Sequence, residues 1–141
     1  MKKFLVTVFV ICICIAVYAK SQDDKFINAL RNCSSYKDSG DISADGINAQ
    51  AIKTILGWHN DKCVYKEVIN LNGTNVNIQC NFSKAQIKEI TSVADAYYLT
   101  LQYSGENSDV SSLDAVKKNP LANVFNKYIQ DPGVCSIGGL K

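Results

Sequence analysis

Apolar positions recur along this chain with two different periods, and each period marks its own kind of element. Between residues 50 and 82 the period is two. QAIKTILGW (50–58) puts Ile52, Leu56 and Trp58 on one face, and KCVYKEVIN (62–70) does the same with Cys63, Tyr65 and Ile69. TNVNIQCNF (74–82) alternates throughout, with Val76, Ile78, Cys80 and Phe82 opposed by Asn75, Asn77, Gln79 and Asn81. Such alternation predicts an antiparallel sheet with one dry face. His59-Asn60-Asp61-Lys62 and Leu71-Asn72-Gly73 are the connections, and Asn-Gly is a strong hairpin pair. With Asn60-Asp61 as a two-residue loop, Trp58 faces Cys63, Leu56 faces Tyr65 and Ile52 faces Ile69. Register and hydrophobic pattern then agree on a three-stranded meander.

On either side the period lengthens to that of a helix. Phe26, Ile27, Leu30 and Cys33 form a stripe behind Asp23 and Asp24, acids suited to a helix N-terminus. Ser83-Lys84-Ala85-Gln86 has the form of a capping box, and Ile87, Ile90, Val93, Ala94, Tyr97, Tyr98 and Leu101 carry a helix from 84 to about 102. Asn119-Pro120 starts a third helix bearing Leu121, Val124, Phe125, Tyr128 and Ile129, which Asp131-Pro132-Gly133 ends. Residues 34–48 and 104–112 are polar and read as loops. The expected fold is α+β: an N-terminal helix, the three-stranded meander, then two helices packed on one sheet face.

Residues 1–19 stand apart. Lys2 and Lys3 precede an apolar run from Phe4 to Val17 that is short for a membrane span, and Val17-Tyr18-Ala19 suits signal peptidase. This segment reads as a signal peptide, and residues 20–141 as a single domain. Cys12 and Cys14 lack the small preceding residue of a lipidation site. Composition agrees with one globular domain: 141 residues, 47% hydrophobic and 20% charged. Lys+Arg number 15 against 13 acids, and without Lys2 and Lys3 the two counts are equal. A neutral domain gives no clustered positive charge for nucleic acid or an anionic membrane.

Four cysteines follow the leader, Cys33, Cys63, Cys80 and Cys135, separated by 30, 17 and 55 residues. An even count in an exported domain implies disulfides, and these spacings do not suit a zinc site. Cys63 and Cys80 share one face and one end of a hairpin, so the preferred pairing is Cys63–Cys80 with Cys33–Cys135. The alternative joins Cys33 to one hairpin cysteine and Cys135 to the other.

Little else carries chemistry. No G-x-S-x-G, H-E-x-x-H or phosphate-binding glycine loop occurs. His59 is the sole imidazole and falls in a turn. Glu67 shares the parity of Cys63, Tyr65 and Ile69, which is costly for a carboxylate unless it is paired or near an edge. The favoured reading places it beyond the covered area or against a lysine; the sharper one is a buried acid in a pocket. Asp41-Ile42-Ser43-Ala44-Asp45-Gly46 begins like a calcium loop, yet its twelfth position is Ile52 rather than Glu, so no metal or cofactor is expected.

The segments Cys33-Ser34-Ser35-Tyr36, Leu56-Gly57-Trp58-His59-Asn60-Asp61-Lys62-Cys63-Val64-Tyr65-Lys66-Glu67, Cys80-Asn81-Phe82-Ser83-Lys84-Ala85-Gln86, Asn119-Pro120-Leu121 and Asp131-Pro132-Gly133-Val134-Cys135 together resemble small exported bacterial proteins of uncharacterised function. The resemblance implies a periplasmic or secreted four-cysteine domain and no particular activity.

The expected role is an exported, non-enzymatic binding module of the bacterial envelope or extracellular space. Its partner would be a protein or envelope component, with no nucleic acid and with membrane contact only through an uncleaved leader. Trp58, His59, Asn60, Asp61 and Glu67 are the candidate contact residues, although a tryptophan beside a turn reads first as a core plug. Two alternatives stand: a small hydrolase-like enzyme using Glu67 with His59 or Asp61, and an envelope protein anchored by residues 4–19. Cleavage after Ala19 is expected, so N-terminal sequencing of the exported protein should begin at Lys20. Mature material beginning at Met1 would refute it.

Overall fold

In the computed structural model, residues 23–44, 47–104 and 118–139 are described. Helix α1 (Asp23–Asn32) leads into strands β1 (Tyr36–Ala44), β2 (Ile47–His59), β3 (Lys62–Leu71) and β4 (Thr74–Phe82). Helices α2 (Lys84–Ser104) and α3 (Pro120–Ile129) follow, and β5 (Cys135–Gly138) ends the described chain. The five strands form one antiparallel sheet in chain order. The leader and the 105–117 connection lie outside the described residues, as do Asp45 and Gly46 of the calcium-like stretch.

The α+β class and the antiparallel meander hold, but the sheet has five strands rather than three. Residues 36–44, expected as loop, form β1. Their Ser, Gly and Asp content disguises a strand that has only one neighbour to satisfy. The Asp41–Ala44 stretch is thus extended and paired, with Asp41 opposite Gln50, and not wrapped around an ion. The short tail likewise becomes β5, where Asp131 accepts the amides of Val134 and Cys135 and turns the chain back onto β4.

The turns and caps follow local chemistry. Asn60-Asp61 and Asn72-Gly73 all take positive φ, as two-residue hairpin turns require. Ser83 Oγ accepts the Gln86 amide while Gln86 Oε1 accepts the Ser83 amide, completing the capping box. Asn119 Oδ1 accepts the Leu121 and Ala122 amides at the start of α3. At the end of α1, Ser34 N–H donates to Ala29 O and Cys33 N–H to Leu30 O, the Schellman pattern. Its left-handed residue is Cys33 (φ 49°) rather than glycine, so no glycine marked this stop.

One irregularity resets the expected register. At Ile55–Gly57 the β2/β3 pairing shifts by a bulge, with Gly57 at φ 109°. Trp58 still faces Cys63, but Tyr65 now faces Ile55 and Ile69 faces Ala51. Leu56 and Ile52, expected inside, are exposed on the sheet's outer face, while Ala51, Lys53 and Ile55 enter the core. A one-residue slip inverts every side chain beyond it, which is why the plain alternation misread this strand.

The three described helices cover the same sheet face. Phe26 of α1 lies 6.0 Å from Tyr65 and 6.4 Å from Phe125 of α3, and Phe82 meets Phe125 and Tyr128 edge-on. Lys127 Nζ and Tyr128 Oη both contact the Glu89 carboxylate, joining α3 to α2, and Arg31 pairs with Asp95 to join α1 to α2.

The disulfides are Cys33–Cys63 and Cys80–Cys135, the alternative pairing rather than the preferred one. With the tight Asn72-Gly73 turn, Cys63 faces Phe82 and Cys80 faces Tyr65, so the two hairpin cysteines are only diagonal neighbours. The unforeseen β5 sets Cys135 directly opposite Cys80, and the end of α1 lies over the start of β3. Mapping of the unreduced protein should yield a peptide joining Cys33 to Cys63 and another joining Cys80 to Cys135. In the chain-entropy account each closure stabilises by about 4 kcal/mol, so each Cys-pair-to-Ala variant should melt well below the parent. A Cys63–Cys80 peptide would contradict the arrangement.

Candidate functional site

The structure separates the candidate residues into two places. Trp58, His59, Asn60 and Asp61 sit together at the β2/β3 tip, all exposed. Glu67 lies mid-strand on β3 and is wholly buried. It is five positions from Lys62, the residue facing His59, which at about 3.3 Å per residue is roughly 16 Å along the strand. Neither His59 nor Asp61 therefore shares a reacting atom with Glu67.

The tip is held rather than free. Trp58 is 44% exposed, so the core-plug expectation fails. Trp58 keeps the face of its partner Cys63 and stands two residues before the Asn60-Asp61 turn, at the end of the sheet. Its partner Cys63 is tied to α1 by the disulfide, and the Lys84 ammonium at the start of α2 lies 5.7 Å from the ring centroid. Hairpin and α1 are thus covalently tied, and the start of α2 lies beside the ring.

The buried site is built around Glu67. Its register partner on β2 is Lys53, itself 1% exposed. Of the expectations for Glu67, a position beyond the covered area is overturned, and a lysine does stand opposite. Tyr65 Oη donates to Glu67 Oε2 at 2.8 Å, and Lys53 Nζ lies 4.1 Å from the centre of the Phe26 ring. Among the described residues nothing hydrogen-bonds Glu67 Oε1. Burial raises the Glu67 carboxyl from 4.5 to about 7, against the opposing pull of the Lys53 charge and the Tyr65 hydroxyl.

Sequence reasoning missed Lys53 because the bulge hides its parity. The available signal was Gly57, a glycine inside a strand pattern, which is a common mark of a bulge. Among the described residues no group of His, Cys, Asp and Glu is arranged to hold a metal, and no helix is long and apolar enough to cross a membrane. Comparison with protein-family models, curated proteins and solved structures finds no match.

Because the folded-state value of Glu67 lies above its unfolded one, the native state binds this proton more tightly. Stability from this group is full below about pH 4.5 and is lost as pH rises through about 7. Denaturant unfolding should show a fall of up to about 3 kcal/mol between pH 5 and pH 8. Glu67→Gln should flatten that fall, and an unchanged pH profile in the variant would show that the proton resides elsewhere.

Proposed function

We propose that this protein is an exported, non-enzymatic binding module that contacts its partner through the β2/β3 tip. The observation that carries the reading is the exposed Trp58 ring on a braced hairpin. A large aromatic side chain held in place before contact loses little freedom on binding, which is why tryptophan is enriched at binding hot spots. His59, Asn60 and Asp61 surround it with hydrogen-bonding groups of mixed type, as at a polar interface rim. Two disulfides suit an oxidising compartment, periplasmic or extracellular, and an envelope or extracellular protein is the class of partner proposed. The buried position of Glu67, remote from His59 and Asp61, supports a structural role for it rather than turnover.

Trp58→Ala tests this reading directly. Removing a half-exposed ring that lies near the Lys84 ammonium should cost about 1 kcal/mol or less, against roughly 3–5 kcal/mol for a core aromatic. Parent and variant are compared by calorimetry and by retention of binding partners from the exported fraction. A nearly unchanged melting temperature with lost retention is the expected pair. Equal retention by both proteins would overturn the assignment of the tip.

A further inference from the structure

The sheet's two edges are unlike. β5 offers only the four residues Cys135–Gly138, whereas β1 runs for nine, Tyr36–Ala44, and among the described residues β2 is its sole neighbour in the sheet. Natural sheets blunt such edges by shortness, bulges or charge, because an open ladder accepts another strand. Independently of the role given to Trp58, we infer that β1 pairs antiparallel with the β1 of a second copy, joining two sheets into one of ten strands.

The argument rests on which groups of β1 face outward. Alternate residues of a strand direct their amides to opposite edges. The Ser39 N–H is taken by the Asp38 carboxylate at 2.8 Å rather than by β2, which assigns Lys37, Ser39 and Asp41 as the residues whose backbone faces the free edge. A two-fold pairing must oppose residues of the same class, so its axis passes through a single residue, and around the charged stretch that residue is Lys37, Asp38, Ser39, Gly40 or Asp41. Centring on Lys37 opposes two lysines, on Asp41 two aspartates, and on Asp38 two aspartates again. Centring on Gly40 forms no ion pair. Centring on Ser39 sets Lys37 opposite the partner's Asp41 and, by symmetry, Asp41 opposite the partner's Lys37, with Asp38 opposite the partner's Gly40.

That register is the one in which the charges favour contact. Lys37 and Asp41 are exposed on the same outer face, opposite neutral Thr54 and Gln50 within their own sheet. Opposed charges on neighbouring strands attract, whereas like charges in direct opposition repel. The contact is isologous and closes at two copies. In a free copy Asp38 covers the Ser39 amide, anchored through its other oxygen by the Tyr36 hydroxyl at 3.3 Å. On pairing, each Ser39 N–H passes from Asp38 to the partner's Ser39 carbonyl, so Asp38 acts as a removable cover that keeps the association reversible. Strand addition at an exposed edge is a general mode of recognition, and here the added strand is the chain's own.

Charge reversal tests both the surface and its register. Molecular mass is measured by sedimentation equilibrium on the purified oxidised protein over a range from micromolar to millimolar. The parent should form a concentration-dependent dimer. K37D and D41K should each weaken it at least ~10-fold, since each turns both ion pairs into repulsive ones. The double variant K37D/D41K should restore it, and an equimolar mixture of the two single variants should associate although neither does alone. Circular dichroism and melting temperature confirm that these exposed substitutions leave the fold intact. A parent that stays monomeric throughout, a dimer indifferent to either reversal, or a double variant that fails to recover would each overturn the inference.

Discussion

Gly57 determines which face of β2 is dry. Its φ of 109° lets the strand absorb one extra residue, and everything N-terminal to that point is inverted relative to the tip. Upstream of the bulge, Ala51, Lys53 and Ile55 turn inward to meet the helices, while beyond it Trp58 keeps its place opposite Cys63. A side chain at this position would be strained in the backbone conformation required, even though a Cβ would lie no closer than 3.8 Å to Cys33 O. The burial of Lys53 opposite Glu67 is thus a result of one local irregularity.

Placing Lys53 in the core makes the interior of this small domain partly ionic. A buried carboxylate alone would carry a heavy desolvation cost, and a buried ammonium likewise. Set opposite one another, with the Tyr65 hydroxyl on one carboxylate oxygen and the Phe26 ring face toward the ammonium, each lessens the other's cost. The surrounding aromatics Phe26, Tyr65, Phe82 and Phe125 pack in tilted and edge-on contacts around this point. The arrangement specifies which strand lies beside which, because a register shift would leave both charges unmatched inside.

The sequence makes some of this architecture plain and conceals the rest for definable reasons. Strands β3 and β4 are bulge-free and one-sided, so their parity is directly readable, and the Asn60-Asp61 and Asn72-Gly73 turns fix how they join. The boundaries of α2 and α3 follow from Ser83–Gln86 and Asn119-Pro120. β1 is concealed because an edge strand needs little apolar surface, and β5 because four residues carry too short a pattern. The cysteine pairing depends on β5 and is concealed with it. At the candidate site, the exposed residues His59, Asn60 and Asp61 follow from the turn alone. The burial of Lys53 requires knowledge of the bulge.

Both disulfides lie toward the same end of the sheet. Cys63 is the second residue of β3, Cys80 lies two positions before the end of β4, and their partners bind the last turn of α1 and the first residue of β5 to that end. Among the described residues the opposite end, with the Asn72-Gly73 turn and the Ala44/Ile47 connection, carries no disulfide. Local opening is therefore polarised. The far ends of the strands can part without breaking a covalent link, whereas near the tip the disulfides hold Cys33 to β3 and β4 to β5. The covalently clamped end is the one that presents Trp58 to its surroundings.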